Sequence, residues 1–134
     1  MEFRRRKLDA AAMPFVVRQK WTGRKVLDEG FVPFPKRLLR VAKKLFKGDR
    51  RMSNLQAMLA IVDYERPTAA RAASLKYLAF LAGLSTKSFR RSINDMKDLG
   101  WLKVEGKEDG LTIDYRGFVK AIEAATEEPD EDEK

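Results

Sequence analysis

Ser74-Leu75-Lys76-Tyr77-Leu78-Ala79-Phe80-Leu81-Ala82-Gly83-Leu84-Ser85-Thr86-Lys87-Ser88-Phe89-Arg90-Arg91-Ser92-Ile93 reads as two helices joined by a three-residue corner. Ser74 is of the residue type that caps helix N-termini, because its hydroxyl can accept from an unpaired backbone N–H. Leu75, Leu78, Ala79 and Leu81 then supply the apolar face of a helix over 75–82. Gly83 tolerates the positive φ of a tight helix exit. Leu84 is an apolar plug for the corner. Ser85 caps a second helix over 86–99, with a further hydroxyl at Ser88. Phe89, Ile93, Met96 and Leu99 step by four, three and three, so they share one face of that helix.

Downstream, the period changes. After Gly100, residues 101–105 and 111–115 alternate as strands, joined by the polar turn Gly106-Lys107-Glu108-Asp109-Gly110. A last helix is expected over 115–125, with Phe118, Ala121, Ile122 and Ala125 inward. Upstream, Pro35 suits the first position of a helix that Gly48 stops, with Leu38, Leu39, Val41, Ala42, Leu45 and Phe46 in its apolar pattern. Ser53 with Gln56 reads as a capping box opening a helix with Leu55, Met58, Leu59 and Val62 inward. That helix ends before Pro67, and 68–73 has room for a short strand. Residues 30–35 are extended around Pro33 and Pro35. Residues 15–21 fit either a strand or a short helix.

The 134 residues suffice for one domain, with a basic arm over 1–30, a folded part over 31–126 and a disordered acidic tail over 127–134. No apolar run is long enough to span a bilayer, and no signal-peptide pattern follows the basic start, so a cytoplasmic, nucleoid-associated location is expected. The chain has no Cys and no His. That removes disulfides, thiol nucleophiles and the commonest general base and metal ligand. No Gly-rich phosphate loop occurs. No enzymatic activity, cofactor, metal or small-molecule ligand is therefore expected.

Charge points to a polyanion. The chain has 28 basic and 20 acidic residues, a net +8. Six of the acids sit in the tail, so the body carries 27 basic against 14 acidic residues, a net +13. The order helix, helix, corner, helix, hairpin is that of a winged helix-turn-helix, giving a mainly α fold with a small β-hairpin (α+β) and an N-terminal extension. In that frame the second helix of the corner stands in the major groove of double-stranded DNA. Its outward residues Thr86, Lys87, Ser88, Arg90, Arg91 and Asn94 are the candidate contacts. Arg can bind guanine and Asn adenine through paired hydrogen bonds, while Lys87, Ser88 and the helix N-terminus can hold phosphates. Lys103 and Lys107 are the hairpin's candidates, ranked below the helix because the tip is nearly neutral. Arg4, Arg5 and Arg6 could lie in a minor groove or along the backbone, and the basic helix after Pro35 is a further candidate surface.

The segment 74–93, with Leu-Ala in its first helix, Gly-Leu-Ser at the turn and Leu99-Gly100-Trp101-Leu102 before the hairpin, resembles the helix-turn-helix of bacterial winged-helix proteins. The stretch Gly30-Phe31-Val32-Pro33-Phe34-Pro35 with Leu38-Leu39 is similar to the N-terminal DNA-binding domain of phage replication proteins of the O type. The first resemblance implies a sequence-specific transcriptional regulator of a phage, plasmid or mobile element. The second implies binding to origin repeats as a dimer. A homodimer fits both, paired through the first basic helix, the N-terminal segment or the last helix. A winged helix that serves only as a protein-interaction adaptor is the reading from another class.

Overall fold

The computed structural model describes residues 15–20, 32–65 and 71–127. The chain divides after Pro33. The first unit contributes α1 (Phe15–Lys20), which settles the choice between strand and helix there in favour of helix. Arg4, Arg5, Arg6 and the acidic residues beyond Glu127 lie outside the described residues.

The second unit is mainly helical with one small antiparallel sheet. Its elements are α2 (Lys36–Leu45), α3 (Arg51–Tyr64), α4 (Leu75–Ala82), α5 (Thr86–Asp98), β1 (Lys103–Lys107), β2 (Gly110–Asp114) and α6 (Arg116–Glu127). The central helix α3 packs on α4 and α5, and α2 packs on α6. Phe89, Met58, Ile61, Leu78 and Met96 are the largest apolar side chains fully enclosed among these helices.

α4 and α5 end in the same way. At the end of α4, Gly83 takes φ 73° and the N–H of Leu84 donates to the Ala79 carbonyl at 3.0 Å. At the end of α5, Gly100 takes φ 78° and the N–H of Trp101 donates to the Met96 carbonyl at 3.0 Å. This wrap satisfies carbonyls that have no partner inside the helix and turns the next apolar residue back toward the core. Its second use overturns an expectation from spacing. Leu99 does not share the inner face of α5: it is 58% exposed, and Trp101 enters the core instead. There Trp101 meets Phe46 and Phe118 with ring centroids 5.3 and 5.2 Å away. Phe46 reaches this cluster because α2 stops at Leu45, one residue before the expected pattern ends.

The capping box expected at Ser53 is absent. Gly48, at φ 82°, turns the chain so that Arg51 N–H donates to Gly48 O and Asn54 N–H to Arg50 O. α3 therefore begins at Arg51, and Ser53 falls inside it.

The strands are offset from the expected ones, because Trp101 and Leu102 are taken up by the core. β1 and β2 pair from Lys103↔Asp114 to Lys107↔Gly110, leaving Glu108 and Asp109 as a two-residue tip. A Cβ on Gly106, at φ 93°, would strike the Gly110 carbonyl, so the tip requires glycine there. The other edge of β2 is also covered. Ala73 exchanges hydrogen bonds of 3.0 and 2.8 Å with Leu111, and the buried Glu65 carboxylate accepts from Ile113 N–H at 3.4 Å. An unpaired sheet edge invites association, and these contacts close it.

Candidate functional site

α5 is fixed at its start by Ser85, whose hydroxyl accepts from the Ser88 N–H at 3.1 Å. Phe89, Ser92, Ile93 and Met96 face inward. At 3.6 residues per turn this leaves an outward face bearing Lys87, Arg90, Arg91, Asn94, Lys97 and Asp98. All six are exposed, and the first turn contains no acid. Thr86 and Ser88 are half-buried at its margins.

Each flank of this face is held by a charged contact from a distant segment. On one flank, Arg50 of the α2–α3 connection reaches across to α5. Its Nη2 donates to Ser88 O at 2.8 Å, to Ser88 Oγ at 3.3 Å and to Ser92 Oγ at 2.7 Å. Its Nε lies 3.4 Å from Asp95 Oδ2, within ion-pair distance but without hydrogen-bond alignment. Ser88, a candidate phosphate ligand, thus already has its N–H, carbonyl and hydroxyl engaged by protein. Arg91 stands free of this clamp and lines a shallow groove with Lys47 and Arg50, in which Asp49, Asp95 and Asp98 also take part.

On the other flank, the hairpin tip meets α5. Arg90 Nε donates to Glu108 Oε1 at 2.7 Å and Arg90 Nη2 to Glu108 Oε2 at 3.2 Å. This hydrogen bonding, donated by Arg90 and accepted by Glu108, lowers the Glu108 pKa and raises that of Arg90. The tip is itself pinned. Leu75 N–H, at the start of α4, donates to the Glu108 carbonyl at 2.7 Å, next to the Ala73–Leu111 pairing.

The hairpin lysines are separated from each other. Lys107 is exposed beside the tip, whereas Lys103 lies at the root opposite Asp114, about 13 Å along the strand. Asp114 is occupied by Arg116, whose side-chain and backbone N–H groups hold its pKa at about 2. On α2, Lys36, Arg37, Arg40 and Lys43 are exposed, as is Lys47 just beyond its end, while Lys44 Nζ donates to the Ala125 carbonyl near the end of α6 at 3.4 Å. Leu39, expected in the apolar pattern of this helix, is instead 69% exposed among the cations, because the buried face runs through Leu38 and Val41.

The α5 face is legible in the sequence, whereas Arg50 and Glu108 as its fixings are not read from it. A signal existed for the first. Ser88, Ser92 and Asp95 form a polar stripe at helical spacing on the flank of an otherwise apolar face, and such a stripe needs a donor. Among the described residues, no group of acids is placed to hold a metal ion and no helix is long and apolar enough to cross a membrane. The chain matches no family model, no curated protein and no solved structure.

Proposed function

We propose that this protein binds double-stranded DNA as a winged helix-turn-helix, with α5 in the major groove and the β1–β2 hairpin as the wing. The observation that carries this reading is the outward face of α5. Lys87, Arg90, Arg91, Asn94 and Lys97 project together from a helix that is capped, clamped and seated on a corner with α4. A major groove about 12 Å wide admits such a helix, and Arg and Asn are the residues that read guanine and adenine there. The Ala73–Leu111 bridge supports the wing reading, since it adds a third strand position to the hairpin and ties it to the start of α4. The net +13 of the body supplies the attraction to phosphate.

Arg91 and Lys87 read or hold from the middle of the face, and Lys47 extends a phosphate track along the groove it shares with Arg91. Lys107 reaches the backbone beside the tip. Lys103, at the root, stands outside this surface. The protein acts as a sequence-specific regulator, pairing two copies on adjacent half-sites, because one small module covers little DNA.

A salt series on the full-length protein tests the reading. With about five phosphates neutralised, affinity for duplex DNA falls with a log–log slope of roughly −4 to −5. Replacing Lys87 or Arg91 by Ala lowers that slope by about one each if the residue holds a phosphate. Absent or salt-independent binding to both random and genomic duplexes overturns the proposal.

A further inference from the structure

The Arg90–Glu108 contact has a geometry that separates two roles for an acid on a DNA-facing surface. A guanidinium offers five N–H groups in a fixed planar fork. Glu108 takes the side edge, formed by Nε and one Nη2 hydrogen. The end edge, formed by Nη1 and the second Nη2 hydrogen, has no partner among the described residues. That end edge presents two parallel N–H groups, which match the O6 and N7 acceptors of guanine. The acid therefore does not occupy the reading edge; it fixes the plane that carries it.

We propose that Glu108 is a positioning residue that holds Arg90 with its end edge presented for a guanine. The proposal rests on the DNA-binding reading above. Two further observations support it. The Glu108 backbone is anchored by its carbonyl to Leu75 N–H and by the neighbouring Ala73–Leu111 pairing, so the carboxylate projects from a fixed point rather than from a mobile tip. Both side chains are substantially exposed, at 45% and 64%, so the pair is too weak to act as a lock that DNA must break. It suffices to hold a rotamer, which lowers the ordering cost when Arg90 meets a base. Glu108 thus sets specificity while its negative charge opposes attachment to arbitrary DNA.

The test uses full-length protein and two duplexes: a preferred site selected from a random pool, and a random sequence. The variants are Glu108→Gln, Arg90→Lys and the double substitution. Glu108→Gln is expected to weaken the preferred site by about three- to tenfold and to leave random-duplex binding equal or tighter, so that the ratio of the two affinities falls. Arg90→Lys, which keeps the charge and loses the fork, lowers the ratio at a guanine position by about tenfold or more. In the Arg90→Lys background, Glu108→Gln produces no further fall in the ratio. If Glu108→Gln tightens both duplexes alike and leaves the ratio unchanged, Glu108 is an electrostatic brake and the positioning role is wrong. The positioning role is also wrong if Glu108→Gln lowers the ratio by the same factor with and without Arg90. Wild-type protein that binds neither duplex refutes the DNA-binding reading and this proposal with it, whereas wild-type preference with an unchanged Glu108→Gln ratio refutes only the latter.

Discussion

Replacing Arg50 by Ala removes the clamp on α5, and the structure sets the size of the loss. One guanidinium nitrogen serves three acceptors, so the three hydrogen bonds count as one strong site rather than three additive ones. Hydrogen bonds to a charged group are worth about 1.5 to 3 kcal/mol each. Part of this is recovered, because the Ser92 hydroxyl is fully buried and can turn to donate to the carbonyl of Ser88 one turn back. Asp95 is about two-fifths exposed and rehydrates at little cost. The net expectation is a destabilisation of about 2 kcal/mol, or roughly 8 to 15 °C in melting temperature for a folded unit of this size.

Chemical denaturation of Arg50→Ala, Ser92→Ala and the double variant checks this figure. Ser92→Ala alone costs about 1 kcal/mol, and the double variant falls short of the sum by about 1 kcal/mol, since both changes delete the same contact. Arg50→Lys recovers less than half of the loss, because a point charge on a flexible stem cannot serve Ser88 and Ser92 while facing Asp95. An Arg50→Ala loss below about 0.5 kcal/mol, or additive single variants, refutes the argument. It would mean that the core face of α5 alone sets the helix in place.

Other substitutions separate steric from conformational demands. Gly117→Ala should destabilise by at least about 2 kcal/mol, although Ala is favoured over Gly by about 1 kcal/mol inside helices; the new Cβ strikes the Gly100 carbonyl and presses on Trp101, as thermal melting would reveal. Gly83→Ala should cost only about 1 to 2 kcal/mol, all of it conformational, because φ is 73° while the nearest atom to the new Cβ, Gln56 Nε2, lies 3.8 Å away. Ser85→Ala removes the α5 cap and should cost about 1 kcal/mol, with faster amide exchange confined to the first turn of α5. Asp114, held near 2 by Arg116, contributes stability that is fully present above the ordinary carboxylate range and is lost as pH falls toward 2. Asp114→Asn should therefore lower the melting temperature at pH 6 and flatten its decline between pH 4 and 2.

What could be read in advance was whatever depends on neighbours in sequence. The α4–α5 corner is specified within a dozen residues by two serine caps, one glycine and one apolar plug, and each of them does what its chemistry suggests. The features that spacing does not place depend on partners far along the chain. Leu99 fits the α5 stripe by spacing, but the wrap at Gly100 gives its place to Trp101, which Phe46 and Phe118 hold from two other elements. Ser53 and Gln56 fit a capping box, yet the turn at Gly48 starts the helix two residues earlier. Glu65 gave no sign in sequence that it would serve the open edge of β2, because that demand comes from Ile113, 48 residues later.

The same distinction bears on the candidate site. Sequence spacing marks Arg90 and Arg91 on the outward face of α5 as alike, but the fold makes them unequal. Arg90 is held by the hairpin, 18 residues downstream, with one edge of its guanidinium still open. Lys87, Arg91 and Lys97 are exposed, and Arg91 borders a groove shared with Lys47. Rigid and adaptable donors suit different tasks, since a fixed fork discriminates between bases while a mobile ammonium follows the phosphates of any sequence. In the proposed DNA-binding reading, a face that combines both approaches DNA through its lysines and selects through its arginine. On this view the acids around α5 have separate parts. Asp95 faces Arg50 and helps to set the helix. Glu108 pairs with Arg90, and Asp98, at the far end of the outward face, bounds the cationic strip. The density of positive charge alone would favour indiscriminate attachment. The placement of these three carboxylates turns that charge into a surface with an orientation.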